Sequence, residues 1–535
     1  MNRRIYAFLA FALSFLILFP DPASLAESGA RPGESYDFRL IRFVEHSITP
    51  HESYLHVEFL AADEMRGRKT GTPGQWLAAK YIASEFSKYG LKPAGQQNRY
   101  YQNFQVQRRR LVTTDLWLVH TASSTRKVFA YKLDYQPFDF SGANRVTVPI
   151  VFAGYGITAP EYGYDDYRDL DVSGKIVLVL RHEPQEHDPR SVFAGLELTQ
   201  HAYFETKALN ALRHGAVGLL LVTDPAGHHD DDGPRGAGVF NTAGRRSRKW
   251  QLRPNSGLAT FPALWVDPSV AEALLQPTGH TLLELQRRID ADLKPVSFNI
   301  PSLEVHVNVA VQQDVRKTEN VLALLPGSDP VLRDEVVVIG AHYDHIGVRQ
   351  GKIYNGADDN ASGTSGLLEI AEAFAELSTR PRRSILFIAF SAEEMGLLGS
   401  EYYVEHPVFP LDQTVAMINL DMIGRNAPNA VDVVGSNRSP ELHAINVEAN
   451  HEIGLRLTYN GEKYFSRSDQ ANFAKHGIPV LFYNTGDHPD YHRPSDVVSK
   501  VNPTKIARIA RLAFLVAWEV ANSEHRPTYR ALKPR

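Results

Sequence analysis

The chain has 535 residues, of which 43% are hydrophobic and 22% are charged, proportions typical of a soluble globular protein. Its formal net charge of −4 argues against nucleic acid and anionic membranes as partners, because both favour basic surfaces. The length favours two domains, and the absence of cysteine excludes disulfides, thiolate metal sites and a lipid-modified cysteine.

The N-terminus has the pattern of a secretory signal peptide. Two arginines at 3–4 precede an apolar run at 5–19, and Ser24 and Ala26 place small residues where a signal peptidase would cut. The apolar run is short for a helix that spans a membrane. We therefore expect residues 1–26 to be removed, the mature protein to be periplasmic or secreted, and no stable membrane association to remain.

Residues 27–114 are interpreted as a lead-in followed by the first part of a peptidase domain. A helix is predicted to begin after Thr72, which can cap it, with Pro73 in its first turn. Gly90 is the expected end of that helix. The lead-in itself carries few periodic signals.

Residues 115–310 are predicted to form an inserted β-rich domain. Short strand-like runs recur at 146–153, 175–180 and 218–222, and a helical run at 204–214 precedes the last of them. This domain is expected to contribute no ligand to the candidate site described below.

A long polar loop is expected at 228–250. It contains the sequence from His228 to Asp232 and a basic run at 245–249. The histidine–aspartate cluster could bind metal, but clustered polar neighbours on a glycine-rich loop are more often solvated, and the basic run is interpreted in the same way.

Residues 311–525 are predicted to form an α/β domain, a mixed but mostly parallel sheet flanked by helices. Strand-like runs alternate with helical stripes, which is typical of a sheet covered on both faces. A final packing helix is expected at 503–522. The strand-like runs lie at 335–341, 384–390, 415–420 and 480–484.

Potential metal ligands follow these strands, where ligand sites of α/β sheets usually lie. Histidine and carboxylate ligands without thiolates suit zinc, and two metal ions could activate water and stabilise an oxyanion. Each motif alone is weak evidence, but their joint occurrence at strand ends makes a chance pattern remote. The candidate ligands are His342, Asp359, Glu394, Asp421 and His492.

Two further carboxylates are assigned catalytic roles. Glu393 lies beside a ligand but should project differently, which leaves it free to act as general base and acid. Asp344 could orient the His342 imidazole from outside the ligand set. His345 and His488 lie nearby in the sequence and are expected to be structural or rim residues.

These motifs resemble the co-catalytic di-zinc aminopeptidases of the secreted bacterial leucyl aminopeptidase type. Relatives of that family include glutamate carboxypeptidase II, glutaminyl cyclases and transferrin receptors. The resemblance covers roughly residues 50–112 and 316–522. The segment between them, with runs such as 174–180 and 261–267, looks like a protease-associated domain.

The resemblance implies a zinc exopeptidase fold with two zinc ions per chain. One zinc would take His342 and Asp421, the other would take Glu394 and His492, and Asp359 would bridge them. It also implies a cis peptide bond after the bridging aspartate.

The chain departs from the family pattern at one place. The sequence Ser-Asp-Gln at 468–470 stands where many members have Ser-Asp-His, at a position that is not a ligand. Asp469 could still support a neighbouring ligand. Tyr464 is a candidate for the tyrosine that assists the oxyanion in the family.

Four functions remain open at this point. The leading hypothesis is an exported aminopeptidase acting on peptides. A carboxypeptidase or dipeptidase would need a cation to bind the substrate carboxylate, for which Arg425 and Arg467 are candidates, although ion pairs or exposed positions are as plausible for both. A glutaminyl cyclase is permitted by the resemblance, and a catalytically dead binding protein is disfavoured by the complete ligand set.

Overall fold

The computed structural model describes residues 38–226, 250–253 and 257–531. The signal peptide predicted at 1–26, and the histidine–aspartate cluster and basic run between 228 and 249, lie outside these residues. Within the described part of the chain, no helix is long and apolar enough to span a membrane.

The α-helices of the described residues are numbered in chain order. They are α1 Phe38–Ser47, α2 Pro50–Leu60, α3 Pro73–Lys88, α4 Phe204–Arg213, α5 Pro268–Leu275, α6 Leu282–Asp292, α7 Gly363–Glu376, α8 Leu398–Glu405, α9 Pro440–Ile453, α10 Gln470–Lys475 and α11 Pro503–Asn522. The predicted helix after Thr72 is α3, which has Pro73 in its first turn and is followed by Gly90 at a φ of +74°.

The β-strands of the same residues are numbered separately. They are β1 Lys92–Pro93, β2 Tyr101–His120, β3 Arg126–Phe129, β4 Tyr135–Pro137, β5 Asn144–Ala153, β6 Thr158–Ala159, β7 Tyr164–Asp165, β8 Ile176–Leu180, β9 Gly218–Val222, β10 Gln251–Leu252, β11 Ala263–Val266, β12 Ser297–Leu325, β13 Val336–His342, β14 Gly347–Arg349, β15 Lys352–Tyr354, β16 Ser384–Phe390, β17 Thr414–Leu420, β18 Ala430–Val434, β19 Arg456–Thr458 and β20 Val480–Asn484.

The chain folds into two compact units. The first comprises the residues up to 103 and from 319 onward, and the second comprises 104–318. Both boundaries lie inside long strands, β2 and β12. The segment 115–310, expected to form the inserted domain, falls within the second unit.

The first unit contains a mixed, mostly parallel sheet, which confirms the predicted fold class. Its strand order is β19-β18-β20-β17-β13-β16, followed by the last residues of β12. β13 runs parallel to β16 and β17, and β17 runs parallel to β20. The antiparallel strands lie toward the edges, where β18 pairs with β20 and β12 pairs with β16.

Helices cover both faces of this sheet. Alternate residues of a strand point to opposite faces, so Phe387 and Ile388 of β16 enter different hydrophobic clusters. The Phe387 cluster contains residues of α2, α3, α7, α9 and α11, and the Ile388 cluster contains residues of α8 and α10. Near-continuous apolar strands such as β16 are expected where both faces are buried.

The second unit has its own sheet. β5, β8, β9 and β11 lie side by side in parallel, with β4 antiparallel to β11 and the first part of β12 antiparallel to β5. In β8, Leu178 packs on one face with residues of α5 and α6, and Val177 packs on the other with α4.

Candidate metal centre

Candidate ligands lie at the carboxyl ends of three neighbouring parallel strands. His342 is the last residue of β13, and Asp421 directly follows β17. Glu393 and Glu394 follow β16, after Ala392, which has a φ of +59°. Because the three strands are parallel and adjacent, their carboxyl ends bring these side chains to one edge of the sheet.

Asp359 comes from a turn at Ala357–Ser362, between β15 and α7. The Asp496 carboxylate accepts a hydrogen bond from the Asp359 amide at 3.1 Å. Asn360 Nδ2 donates to the carbonyl of Leu420 at 3.0 Å, which ties the turn to the end of β17. The Asp359–Asn360 peptide bond is cis, as predicted.

The five predicted ligands lie together. His342 Nε2 is 3.3 Å from Asp421 Oδ1 and 3.4 Å from Asp359 Oδ1. His492 Nε2 is 3.1 Å from Asp359 Oδ2 and 3.3 Å from Glu394 Oε1. The two carboxylate oxygens of Asp359 therefore face two different imidazoles.

Asp344 contacts both a candidate ligand and the candidate base. His342 Nδ1 lies 3.1 Å from the backbone carbonyl of Asp344, whereas the Asp344 carboxylate is 3.8 Å away. That carboxylate instead accepts hydrogen bonds from the Glu393 amide at 3.1 Å and from Thr70 Oγ1 at 2.8 Å. A carbonyl acceptor places the proton of His342 on Nδ1 and leaves Nε2 free to bind a metal.

Glu393 lies beside the candidate ligands His342 and Asp421. Its Oε2 is 3.9 Å from His342 Nε2, farther than the Asp421 oxygen. Burial, with Asp421 and Glu394 alongside, raises the pKa of Glu393 well above its ordinary value even though His342 lowers it. The carboxyl group is thus adjacent to the ligands without occupying the position of Asp421.

His345 is buried beside the candidate ligands, so of the two interpretations given for it, structural or rim residue, the rim position is excluded. Its side chain is buried, with Nδ1 2.8 Å from Glu394 Oε1 and 3.7 Å from Asp359 Oδ2. Tetrahedral ligands at about 2.0–2.1 Å from one zinc are roughly 3.3 Å apart. The two distances from His492 Nε2, 3.1 and 3.3 Å, are close to that spacing. Of the two distances from His345 Nδ1, one is shorter and one is longer than it.

His488 is structural, as expected. Its Nε2 lies 3.3 Å from Asp358 Oδ2, and both side chains are fully buried. Asp358 Oδ1 also accepts a hydrogen bond from the Gly424 amide at 2.6 Å. This pair therefore supports the turn that carries Asp359 rather than the ligand set itself.

Two ligand oxygens have the environment expected of metal-binding atoms. Among the described residues, Glu394 Oε1 and Asp421 Oδ1 are buried and accept no hydrogen bond. Burial lowers the pKa of His492, but the neighbouring carboxylates of Asp359 and Glu394 outweigh this effect and raise that pKa to about 10. Buried acceptors crowded together in this way favour a cation between them.

Arg68 is a supporting residue that no sequence pattern distinguishes. It is fully buried, and it donates to the carbonyls of Tyr343 and Gly356, each at 2.8 Å. Tyr343 follows His342, and Gly356 precedes Asp359 by three residues. A basic residue next to a glycine ordinarily indicates an exposed turn, so only the tertiary structure reveals this contact.

The two arginines considered as substrate contacts have partners. Arg425 forms an ion pair with Asp490 at 2.7 Å. Arg467 donates to the Tyr491 hydroxyl at 3.4 Å. Arg425 is therefore engaged as an ion pair, one of the two interpretations left open for it.

Asp469 and Tyr464 are not part of the candidate ligand set. Both carboxylate oxygens of Asp469 are buried without a hydrogen-bond partner among the described residues, and burial raises the pKa of Asp469 to about 7. The Tyr464 hydroxyl donates to Asp487 at 3.0 Å. That contact uses the proton of the hydroxyl group that had been considered for oxyanion assistance.

Comparisons with known proteins agree with the fold class. Residues 320–517 match the model of peptidase family M28, and residues 146–257 match the PA domain. Aminopeptidase YwaD of Bacillus subtilis is 30% identical over 391 residues, which is 70% of this chain and 69% of that protein.

Shorter or more distant similarities were also found. A probable leucine aminopeptidase of Trichophyton verrucosum is 30% identical over 218 residues, covering 38% of this chain and 57% of that protein. The zinc aminopeptidase BSAP from Bacillus subtilis has a solved structure with 21% identity and a TM-score of 0.43, covering 89% of this chain and 96% of that chain.

Proposed function

Because the chain belongs to peptidase family M28, we propose that it is an exported aminopeptidase that removes N-terminal residues from peptides at a two-zinc site. The observation that carries this proposal is the position of Asp359, whose two carboxylate oxygens face His342 and His492. A carboxylate placed in this way can bridge two cations, as two-metal hydrolytic sites require.

We assign His342 and Asp421 to one zinc, Glu394 and His492 to the other, and Asp359 to both. Nitrogen and oxygen donors without sulfur suit zinc. The carboxylates of Asp359, Glu394 and Asp421 carry three negative charges, and two divalent cations carry four positive charges. A hydroxide can neutralise the positive charge that remains. Among the described residues, the buried oxygens of Asp421 and Glu394 accept no hydrogen bond, and metal coordination would give each of them a partner.

Glu393 is assigned the role of general base. When bound, the zinc ions supply positive charge for the oxyanion and lower the pKa of a water molecule. Glu393 takes the proton of that water and returns it to the leaving amine. Its position supports this role, because Oε2 lies beside the ligand group and the backbone is fixed through the Asp344 carboxylate.

The ammonium end of the substrate is proposed as the end that is recognised. Arg425, the arginine best placed to bind a substrate carboxylate, is paired with Asp490. Asp344 and Asp358 also lie near the centre, but both are fully buried and bonded to backbone amides, so neither is available to an ammonium group. Glu393, which lies outside the assigned ligand set, retains slight exposure and can accept a hydrogen bond from an ammonium group.

We further propose that the chain is exported to the periplasm or the extracellular medium after cleavage behind Ala26. The basic start, the apolar run and the small residues before that point support this proposal.

The PA-type unit supplies none of the five assigned ligands. Its role in the reaction is therefore indirect.

The proposal is tested by determining which end of a peptide substrate must be unblocked for cleavage. Aminoacyl nitroanilides and one peptide in N-acetylated and C-amidated forms are incubated with the zinc-loaded protein. An aminopeptidase cleaves the nitroanilides and the amidated peptide but not the acetylated one. Cleavage that survives acetylation and stops on amidation would make the protein a carboxypeptidase.

The same assay separates the other functions. Release of ammonia from an N-terminal glutamine, without peptide cleavage, would identify a glutaminyl cyclase. Full zinc loading with no turnover on any of these substrates would identify a binding protein. The Glu393→Gln variant is the blank for contaminating peptidases.

A further inference from the structure

A second group of metal-ligand side chains lies within the second unit. It consists of His182, Glu186 and Asp224. β8 ends at Leu180 and β9 ends at Val222, and these two residues are partners in a parallel ladder. His182 and Asp224 therefore each follow a strand end by two residues, at the carboxyl edge of that sheet.

The donor atoms of this group are close together and shielded from water. His182 Nδ1 is 2.8 Å from Asp224 Oδ1 and 3.3 Å from Glu186 Oε2. The side chains of His182 and Glu186 are each 10% exposed, and that of Asp224 is fully buried. The distance to Glu186 matches the separation of roughly 3.3 Å between ligands of one tetrahedral zinc, and the distance to Asp224 is shorter than that separation.

Neighbouring groups hold Asp224 in position. The His182 amide is 3.3 Å from Asp224 Oδ1 and donates to it, and Gln286 Nε2 lies 3.5 Å from Asp224 Oδ2. Gln286 Oε1 in turn accepts a hydrogen bond from the Ala226 amide at 2.7 Å. Hydrogen bonds of this kind orient a carboxylate ligand before a metal arrives.

Other buried acidic groups surround this group among the described residues. Glu183 is buried and accepts a hydrogen bond from the Thr199 amide at 3.0 Å. Burial, together with Asp224, raises the pKa of Asp290 above its ordinary value. Lys207 is a buried lysine near Asp224, Glu183 and Glu186, and burial lowers its pKa to about 7.

We propose that His182, Glu186 and Asp224 bind one divalent cation of the zinc type, separate from the peptidase site. One imidazole nitrogen and two carboxylate oxygens form a donor set for a borderline divalent metal, and water completes the tetrahedron. The cation links the ends of β8 and β9, which gives it a structural role. The competing arrangement is a protonated His182 paired with both carboxylates and no metal.

The test counts zinc on the full-length protein. The protein is stripped with a chelator, dialysed to equilibrium against zinc, and its zinc content per chain is determined by elemental analysis. Glu186→Gln and His182→Gln are compared with the wild type. Glu197→Gln is the matched control, because Glu197 is exposed in the same segment.

We expect Glu186→Gln and His182→Gln each to bind one zinc fewer than the wild type, with nitroanilide turnover unchanged. Glu197→Gln should bind as much zinc as the wild type. Equal zinc content in all four proteins would overturn the proposal in favour of the protonated pair. The comparison stays valid whatever the peptidase site binds, because it rests on a difference between variants.

A second measurement needs no variant and therefore no assumption about folding. Crystals of the wild-type protein are soaked in zinc, and anomalous diffraction is recorded at the zinc absorption edge. A peak beside His182 Nδ1 supports the site. Peaks at the peptidase site without one at His182 would overturn it.

Discussion

The backbone amide of Glu393 donates a hydrogen bond to Oδ1 of Asp344 at 3.1 Å. This contact joins the segment after β16 to the segment after β13, so the proposed base is positioned from the strand that carries His342. The same residue accepts from His342 Nδ1 through its backbone carbonyl. One aspartate thus fixes the geometry between a proposed ligand and the proposed base.

Replacing Glu393 by glutamine should abolish most turnover while zinc remains bound. The change removes the group that carries the proton but none of the assigned ligands. A general base contributes about 10²–10⁴-fold in rate, so kcat on a nitroanilide should fall by that factor. Glu405→Gln, at an exposed position at the end of α8, should behave as the wild type. Near-normal kcat in Glu393→Gln would show that another group is the base.

Asp344→Asn should lower kcat more than it changes KM. The amide side chain can still accept from the Glu393 amide, but it removes the negative charge behind His342. Substitutions at such outer positions cost about 10–100-fold in activity or metal affinity. Thr70→Val removes only the hydroxyl that donates to Asp344, so its effect on kcat should be smaller. An equal effect of the two substitutions would assign the loss to packing.

The two neighbouring histidines should differ in zinc content after substitution. His492→Gln should bind one zinc fewer than the wild type, because its Nε2 matches ligand spacing to both Asp359 and Glu394. His345→Gln should retain the full zinc content at saturation. Elemental analysis after equilibrium dialysis measures both. The reverse result would make His345 the ligand and His492 its neighbour.

Arg68→Met should destabilise the fold. The substitution leaves buried carbonyls, including those of Tyr343 and Gly356, without a charged donor. Hydrogen bonds from a charged group contribute about 1.5–3 kcal/mol each, so a loss of about 3 kcal/mol or more is expected in the free energy of unfolding. Arg66→Met, two residues away and exposed, is the control. Chemical denaturation followed by circular dichroism measures both, and equal stability of the two variants would contradict the prediction.

The peptidase sheet and its ligand edge could be predicted from the sequence because their signals are local. The runs that became β13, β16, β17 and β20 are continuous and apolar, and the observed bounds lie within one residue of the predicted ones. Polar residues directly after apolar strands stand out in such a sequence. That contrast distinguishes His342, Glu394 and Asp421, which lie at or just after the ends of β13, β16 and β17.

Contacts between distant segments could not be predicted in this way. Arg68 is separated from Gly356 by 288 residues, and nothing around it distinguishes a buried guanidinium from an exposed one. His345 follows His342 by three residues, but its burial depends on how the loop after β13 turns back. Asp344 was expected to contact His342 through its carboxylate, whereas the turn of the backbone presents its carbonyl.

The residues that support and form the centre are synthesised at very different times. Arg68 is made early, whereas His492 and Asp496, which contact Asp359, are made near the end of the chain. The proposed ligands of one zinc, His342, Asp359 and Asp421, are therefore synthesised before His492, so we expect the other zinc to be the later of the two to bind.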